Sequence, residues 1–89
     1  MRAVISVLGK DRVGILKEVA VKCAEHNINL IDVSQTVMRD MFTMIMLVDI
    51  SDIDIPFGDF SDEMKQYGQE IGMVIRAMHE DIFNSMHSI

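Results

Sequence analysis

Residues 41–48, Met-Phe-Thr-Met-Ile-Met-Leu-Val, put apolar side chains on both faces of any strand they form. Successive side chains of a strand point to opposite faces, so this segment demands cover on each side of its sheet. A chain of 89 residues builds one small core limited by its surface-to-volume ratio. Helices can cover one face; a terminal helix, another sheet or a partner chain must shield the other.

The flanking segments supply those elements. Ala3-Val4-Ile5-Ser6-Val7-Leu8 is short, apolar and rich in β-branched residues, which predicts a buried strand. Ile15, Leu16, Val19, Ala20, Cys23 and Ala24 recur at helical spacing, predicting a helix from about Arg12 to His26 with Asn27 as a left-handed terminator. From Asn29 to Met38, Ile31, Val33 and Val37 alternate with Asp32, Ser34 and Thr36, the pattern of a strand with one wetter face. Arg39-Asp40 then separates two strands at hairpin length. Ser51 to Pro56 reads as a connection. Phe57, Phe60, Met64, Tyr67 and Ile71 make a second helical stripe, with Gly68 expected to cap or weaken its last turn. Met73 to Met78 predicts the last strand, and Ile82, Phe83, Met86 and Ile89 a short tail helix over about residues 80–89. This order predicts a single α+β domain over residues 1–89. It is a ferredoxin-like βαββαβ sandwich whose four-stranded antiparallel sheet carries two helices on one face, with the short C-terminal helix added.

The turn between the first strand and first helix, Gly9-Lys10-Asp11-Arg12-Val13-Gly14-Ile15, is the chemically distinctive segment. A helix start has backbone N-H groups without intrahelical partners and the positive pole of the helix dipole, so it suits a small anionic group. Asp11 is the expected N-cap. The spacing of Gly9 and Gly14 lacks the Gly-Lys-Ser/Thr ending of an NTPase phosphate loop.

Charge and cysteine content narrow the function classes. With 14 acidic against 8 basic side chains the net charge is -6, a surface that repels nucleic-acid phosphates and anionic lipid. No apolar stretch is long enough to span a membrane, and Met1-Arg2 leads straight into a strand without a signal-peptide layout, so a cytoplasmic protein is expected. The single cysteine, Cys23, falls on the apolar stripe of the first helix and reads as a packed thiol in a reducing compartment. His26, His79 and His87 lie on different elements without zinc-motif spacing, and the acidic run from Asp49 to Asp62 lacks the order of a calcium loop. No metal or cofactor is called for. The 9 methionines fit flexible filling of a core or dimer interface.

Gly9-Lys10-Asp11-Arg12-Val13-Gly14-Ile15-Leu16, followed by Ala24-Glu25-His26-Asn27-Ile28-Asn29-Leu30, resembles the opening of an ACT domain, and the resemblance runs over essentially the whole chain. Val13 stands where proline is frequent in that family and Asn27 where glycine is frequent. The resemblance implies a non-catalytic regulatory module, like the small stand-alone ACT proteins, that binds an amino acid or related metabolite and works as a homodimer. It nominates Gly9, Lys10, Asp11, Arg12, Val13 and Gly14 from the loop, together with Asn29, Leu30, Ile31 and Asp32 from the second strand of a neighbouring copy.

Each nominated group has a plausible chemistry. The N-H groups of Val13 and Gly14 can hold a carboxylate, Asn29 can donate and accept, and Asp32 can bind an ammonium group. Lys10 and Arg12 also read as solvated charge, and Asn29 and Asp32 as strand-end residues. Two other classes fit the same sequence: an interaction module acting through self-association or a partner regulatory protein, and an acylphosphatase-like enzyme using Arg12 in a phosphate cradle.

Overall fold

The computed structural model describes residues 1–86, with β1 at Arg2–Lys10, α1 at Ile15–Glu25, β2 at Asn29–Met38 and β3 at Met41–Asp49. These are followed by α2 at Phe57–Ile71, β4 at Met73–His79 and α3 at Glu80–Met86. The strands form one antiparallel sheet in the order β2-β3-β1-β4, which with the helix positions is the ferredoxin-like βαββαβ arrangement. The expected tail position Ile89 lies outside the described residues.

Alternation along the two central strands sorts side chains between the faces. Ala3, Ile5 and Val7 of β1 lie beside Val48, Met46 and Met44 of β3, and all six are buried. Ile15, Val19 and Cys23 of α1 and Phe60 and Met64 of α2 close the same cluster, so both long helices cover that face. Burying each such large side chain contributes roughly 1.5–3 kcal/mol. Met44, Met46 and Met64 are fully buried core residues, whereas Met38 and Met86 are exposed. Cys23 is packed here as expected, and burial pushes its thiol up to about 11.

Several boundaries differ from the sequence expectation. α1 begins at Ile15 rather than Arg12, and its N-cap is Gly14 in the left-handed region, with no side-chain cap. Asp11 therefore does not cap the helix; its N-H donates instead to the Asp40 carbonyl at 2.8 Å, across the β2–β3 turn. Nor does Gly68 end α2. That role falls to Gly72 at φ 75, while a Cβ on Gly68 would sit 2.7 Å from the Met73 carbonyl oxygen, so Gly68 serves the close approach of α2 to β4. Asn27, at φ 59, does turn the chain out of α1.

Among the described residues, the second face of the sheet is covered only in part. Val4 lies on it, beside Leu47 and Met78, yet is 5% exposed and stands apart from the main core cluster. Arg2, on the same face, pairs through its guanidinium with Glu80 at 2.8 Å, and α3 lies against β1 and β4. The tail helix thus shields the β1–β4 side. Along β3 and β2 no described element lies over this face, and Ile45 and Leu47 are only half-buried.

Candidate functional site

β1 carries the loop to the end of the sheet where β2 turns into β3. The Asp11–Asp40 backbone bond ties the loop to that turn, whose Arg39 adopts φ 60. Gly14, at φ 91, then swings the chain into α1, a conformation that L side chains rarely adopt. Gly9 has a packing reason of its own: a Cβ there would run into the Met73 sulfur and lie 3.3 Å from the Gly72 carbonyl oxygen. Lys10 and Asp11 are exposed, and Val13 is almost wholly so at 96%. Among the described residues, the N-H groups of Val13 and Gly14 have no acceptor.

Arg12 is engaged within the chain. Its two terminal nitrogens donate to Glu18 Oε2 and Oε1 at 2.5 and 3.1 Å, and Nη1 also reaches the Val13 carbonyl at 3.2 Å. Glu18 lies one turn into α1, and its Oε2 is 3.7 Å from where a Gly14 Cβ would be. The Tyr67 hydroxyl of α2 donates to Glu18 Oε1 at 2.8 Å, and the Lys22 ammonium sits 4.7 Å from the Tyr67 ring centre. The Arg12 bond, seconded by Tyr67, holds the Glu18 carboxyl down at about 2. A carboxylate of the protein thus stands at the rim of this helix start, bonded to Arg12 and Tyr67 and not to the Val13 and Gly14 N-H groups.

Asn29, Leu30, Ile31 and Asp32 lie far from that loop in the same chain. Asn29 pairs with Asp49, Leu30 with Val48 and Asp32 with Leu47, at the end of β3 that faces the start of β1. Leu30 is thus in line with Ala3, six residues from Gly9, or about 20 Å at strand rise. Ile31 occupies a bulge between Leu30 and Asp32. All four residues are exposed on an edge strand, and Asp32 Oδ1 accepts the Val33 N-H at 2.8 Å. One chain does not bring the two groups of nominated residues together.

A second polar cluster escaped the sequence reading. His26, at the C-cap of α1, has Nδ1 2.8 Å from Asp54 Oδ1 and Nε2 2.9 Å from Glu63 Oε2. Carboxylates accept, so the imidazolium form donates to them from both ring nitrogens, and the Asp54 bond foremost raises the pKa of His26. Its ring also meets Phe60 edge-on at 5.7 Å. This arrangement links the end of α1, the β3–α2 connection and α2. A cleft of about 640 Å³ bordered by Met1, Arg2, His79, Glu80, Asp81 and Ile82 lies at the sheet end away from the Gly9–Gly14 loop. Among the described residues, no group of His, Cys, Asp and Glu could hold a metal ion, and no helix is long and apolar enough to cross a membrane.

The family model for the ACT domain matches residues 2–78. A UPF0237 protein of Methanopyrus kandleri is 44% identical over 88 residues, covering 99% of this chain and 98% of its own length. A UPF0237 protein of Listeria innocua is 48% identical over 89 residues, with 100% of both chains covered. Among solved structures, an ACT domain protein from Streptococcus pneumoniae superposes with a TM-score of 0.81 at 38% identity, covering 93% of each chain.

Proposed function

Since the chain belongs to the ACT domain family, we propose that it is a non-catalytic regulatory protein that binds an amino acid or related metabolite between two copies. The Gly9–Gly14 loop of one copy forms one wall, and Asn29–Asp32 of the other forms the opposite wall. The observation that carries this reading is the separation of the two groups by about 20 Å within a chain, at opposite ends of the sheet, with β2 exposed at its edge. An edge strand has unpaired backbone groups ready to meet a neighbour. The unengaged Val13 and Gly14 N-H groups suit a carboxylate, and Asp32 suits an ammonium group.

The bidentate hold of Glu18 on Arg12 counts against an acylphosphatase-like reaction, which would need that guanidinium for phosphate. An interaction module acting by self-association is the second reading, favoured by the part-covered sheet face. A thermal-shift and calorimetric screen of free amino acids and related metabolites tests the first. Binding by the wild type, weakened by both Asp11→Ala and Asn29→Ala, is the expected result; binding that survives both changes places the ligand elsewhere.

A further inference from the structure

β4 is an edge of the sheet, so one row of its backbone N-H and C=O groups faces away from β1. Its first half borders a groove of about 170 Å³, lined by Lys65 and Gln69 of α2 and by Met73, Val74, Ile75 and Arg76 of β4. That volume seats a side chain, being well under the roughly 300 Å³ at which small-molecule pockets begin. Lys65 and Gln69, four residues apart, share a flank of α2. Met73 and Ile75 are buried beneath α2, while Val74 and Arg76 are exposed on the opposite face of the strand. Lys65 thus stands to one side of the edge and Arg76 to the other. Among the described residues neither cation has a carboxylate partner, in a chain whose net charge is -6. Further along β4 the Ser61 hydroxyl donates to the Ala77 carbonyl at 3.0 Å, so α2 engages the strand there and the groove ends.

We propose that this edge takes an extended acidic segment of another protein as an added strand. Backbone bonds along the edge supply the hold, and side chains of the added strand, alternating between the faces, supply the choice. A side chain directed to the α2 side meets Lys65 and Gln69. Those before and after it lie on the other face, beside Val74 and Arg76. The segment that fits therefore reads apolar, acidic, acidic over three consecutive residues, matched in turn to Val74, Lys65 and Arg76. Charge complementarity also names the kind of partner. Two copies of this chain pairing β4 with β4 would line up two Lys65 and two Arg76 side chains along one seam, a repulsive arrangement. The inference does not rest on the metabolite reading.

Two end-blocked, fluorescein-labelled peptides test the edge on the full chain: Thr-Thr-Val-Glu-Glu-Thr-Thr and its Lys-Lys counterpart. Fluorescence anisotropy should show the Glu-Glu peptide binding roughly tenfold more tightly. Amide NMR should show the signals of residues 73–76 shifting and gaining protection from hydrogen exchange. The double variant Lys65→Glu, Arg76→Glu, changed at two exposed positions, should keep the wild-type spectrum elsewhere and reverse the preference between the peptides. Equal affinities, no binding of the Glu-Glu peptide at millimolar concentration, or a preference that the double variant leaves unreversed overturns the proposal. So does inorganic phosphate reproducing the same shifts, which would make the groove a small-anion site. Shifts of these amides on concentrating the chain without peptide would make a second copy the occupant and overturn it as well. Both peptides are read without any metabolite, so a blank metabolite screen leaves this result standing.

Discussion

Glu18 of α1 accepts the hydroxyl of Tyr67 of α2 at 2.8 Å while its carboxylate holds Arg12 of the loop, so one side chain joins both helices to the turn before α1. Tyr67→Phe removes one donor to that carboxylate. Carbon-detected NMR titration should then show the Glu18 carboxyl titrating above its value of about 2, with Arg12 still paired. The folded pKa is depressed, so its stabilisation is present above the unfolded value and fades as the pH falls toward 2. Glu18→Gln should flatten the acid limb of a plot of melting temperature against pH.

His26 gives the opposite sign. Its folded pKa is raised above 6.5 by Asp54 and Glu63, so its contribution is complete below 6.5 and is lost as the pH rises through the folded value. Melting temperature should fall across that alkaline window and the His26→Gln variant should lose this slope. An imidazole NMR titration with a midpoint at or below 6.5 would contradict the two-carboxylate geometry.

The glycines of α2 should respond in opposite directions to alanine. At Gly68 the added Cβ meets the Met73 carbonyl oxygen at 2.7 Å and Ile75 Cγ1 at 3.0 Å, forcing α2 off β4. Overpacking of this kind costs about 1–3 kcal/mol. At Gly58, in the first turn of α2, nothing lies within 4 Å, so alanine should stabilise the helix. The gain is roughly 0.5–1 kcal/mol. Urea denaturation of the two variants measures both.

Gly14→Ala should destabilise the fold because φ 91 is strained for alanine, even though the nearest atom to its Cβ is 3.7 Å away. The cost expected is about 1 kcal/mol, with an unchanged denaturant slope.

If the metabolite site spans two chains, chains disabled in the loop by Asp11→Ala and chains disabled in the strand by Asn29→Ala should complement each other. Random pairing leaves about a quarter of sites intact. Calorimetric stoichiometry near that fraction after mixing supports the shared site, and no recovery argues that each chain binds alone.

Most of the architecture was legible because it rests on local periodicity: alternation in the strands, helical spacing after Gly14 and after Pro56, and a turn at Arg39-Asp40. The failures involve long-range contacts. Asp11 has a good capping side chain, but its backbone is claimed by Asp40 on a distant hairpin. Gly68 and Gly72 both lie near the end of the stripe, and only the proximity of β4 decides that the first packs and the second caps. The loop and strand motifs could be read as sequence, but not the occupation of Arg12 by Glu18. Nor could it reveal that His26 meets carboxylates 28 and 37 residues away.

The bulge at Ile31 has a consequence for polymerisation. A sheet with two open edges, β2 and β4, invites end-to-end growth, each copy's β4 extending the next copy's β2. One extra residue at Ile31 shifts the hydrogen-bonding phase of β2, so an added strand cannot match its whole length without a compensating irregularity. β4 contains none in its pairing with β1. The mismatch works against open-ended strand addition at the β2 edge.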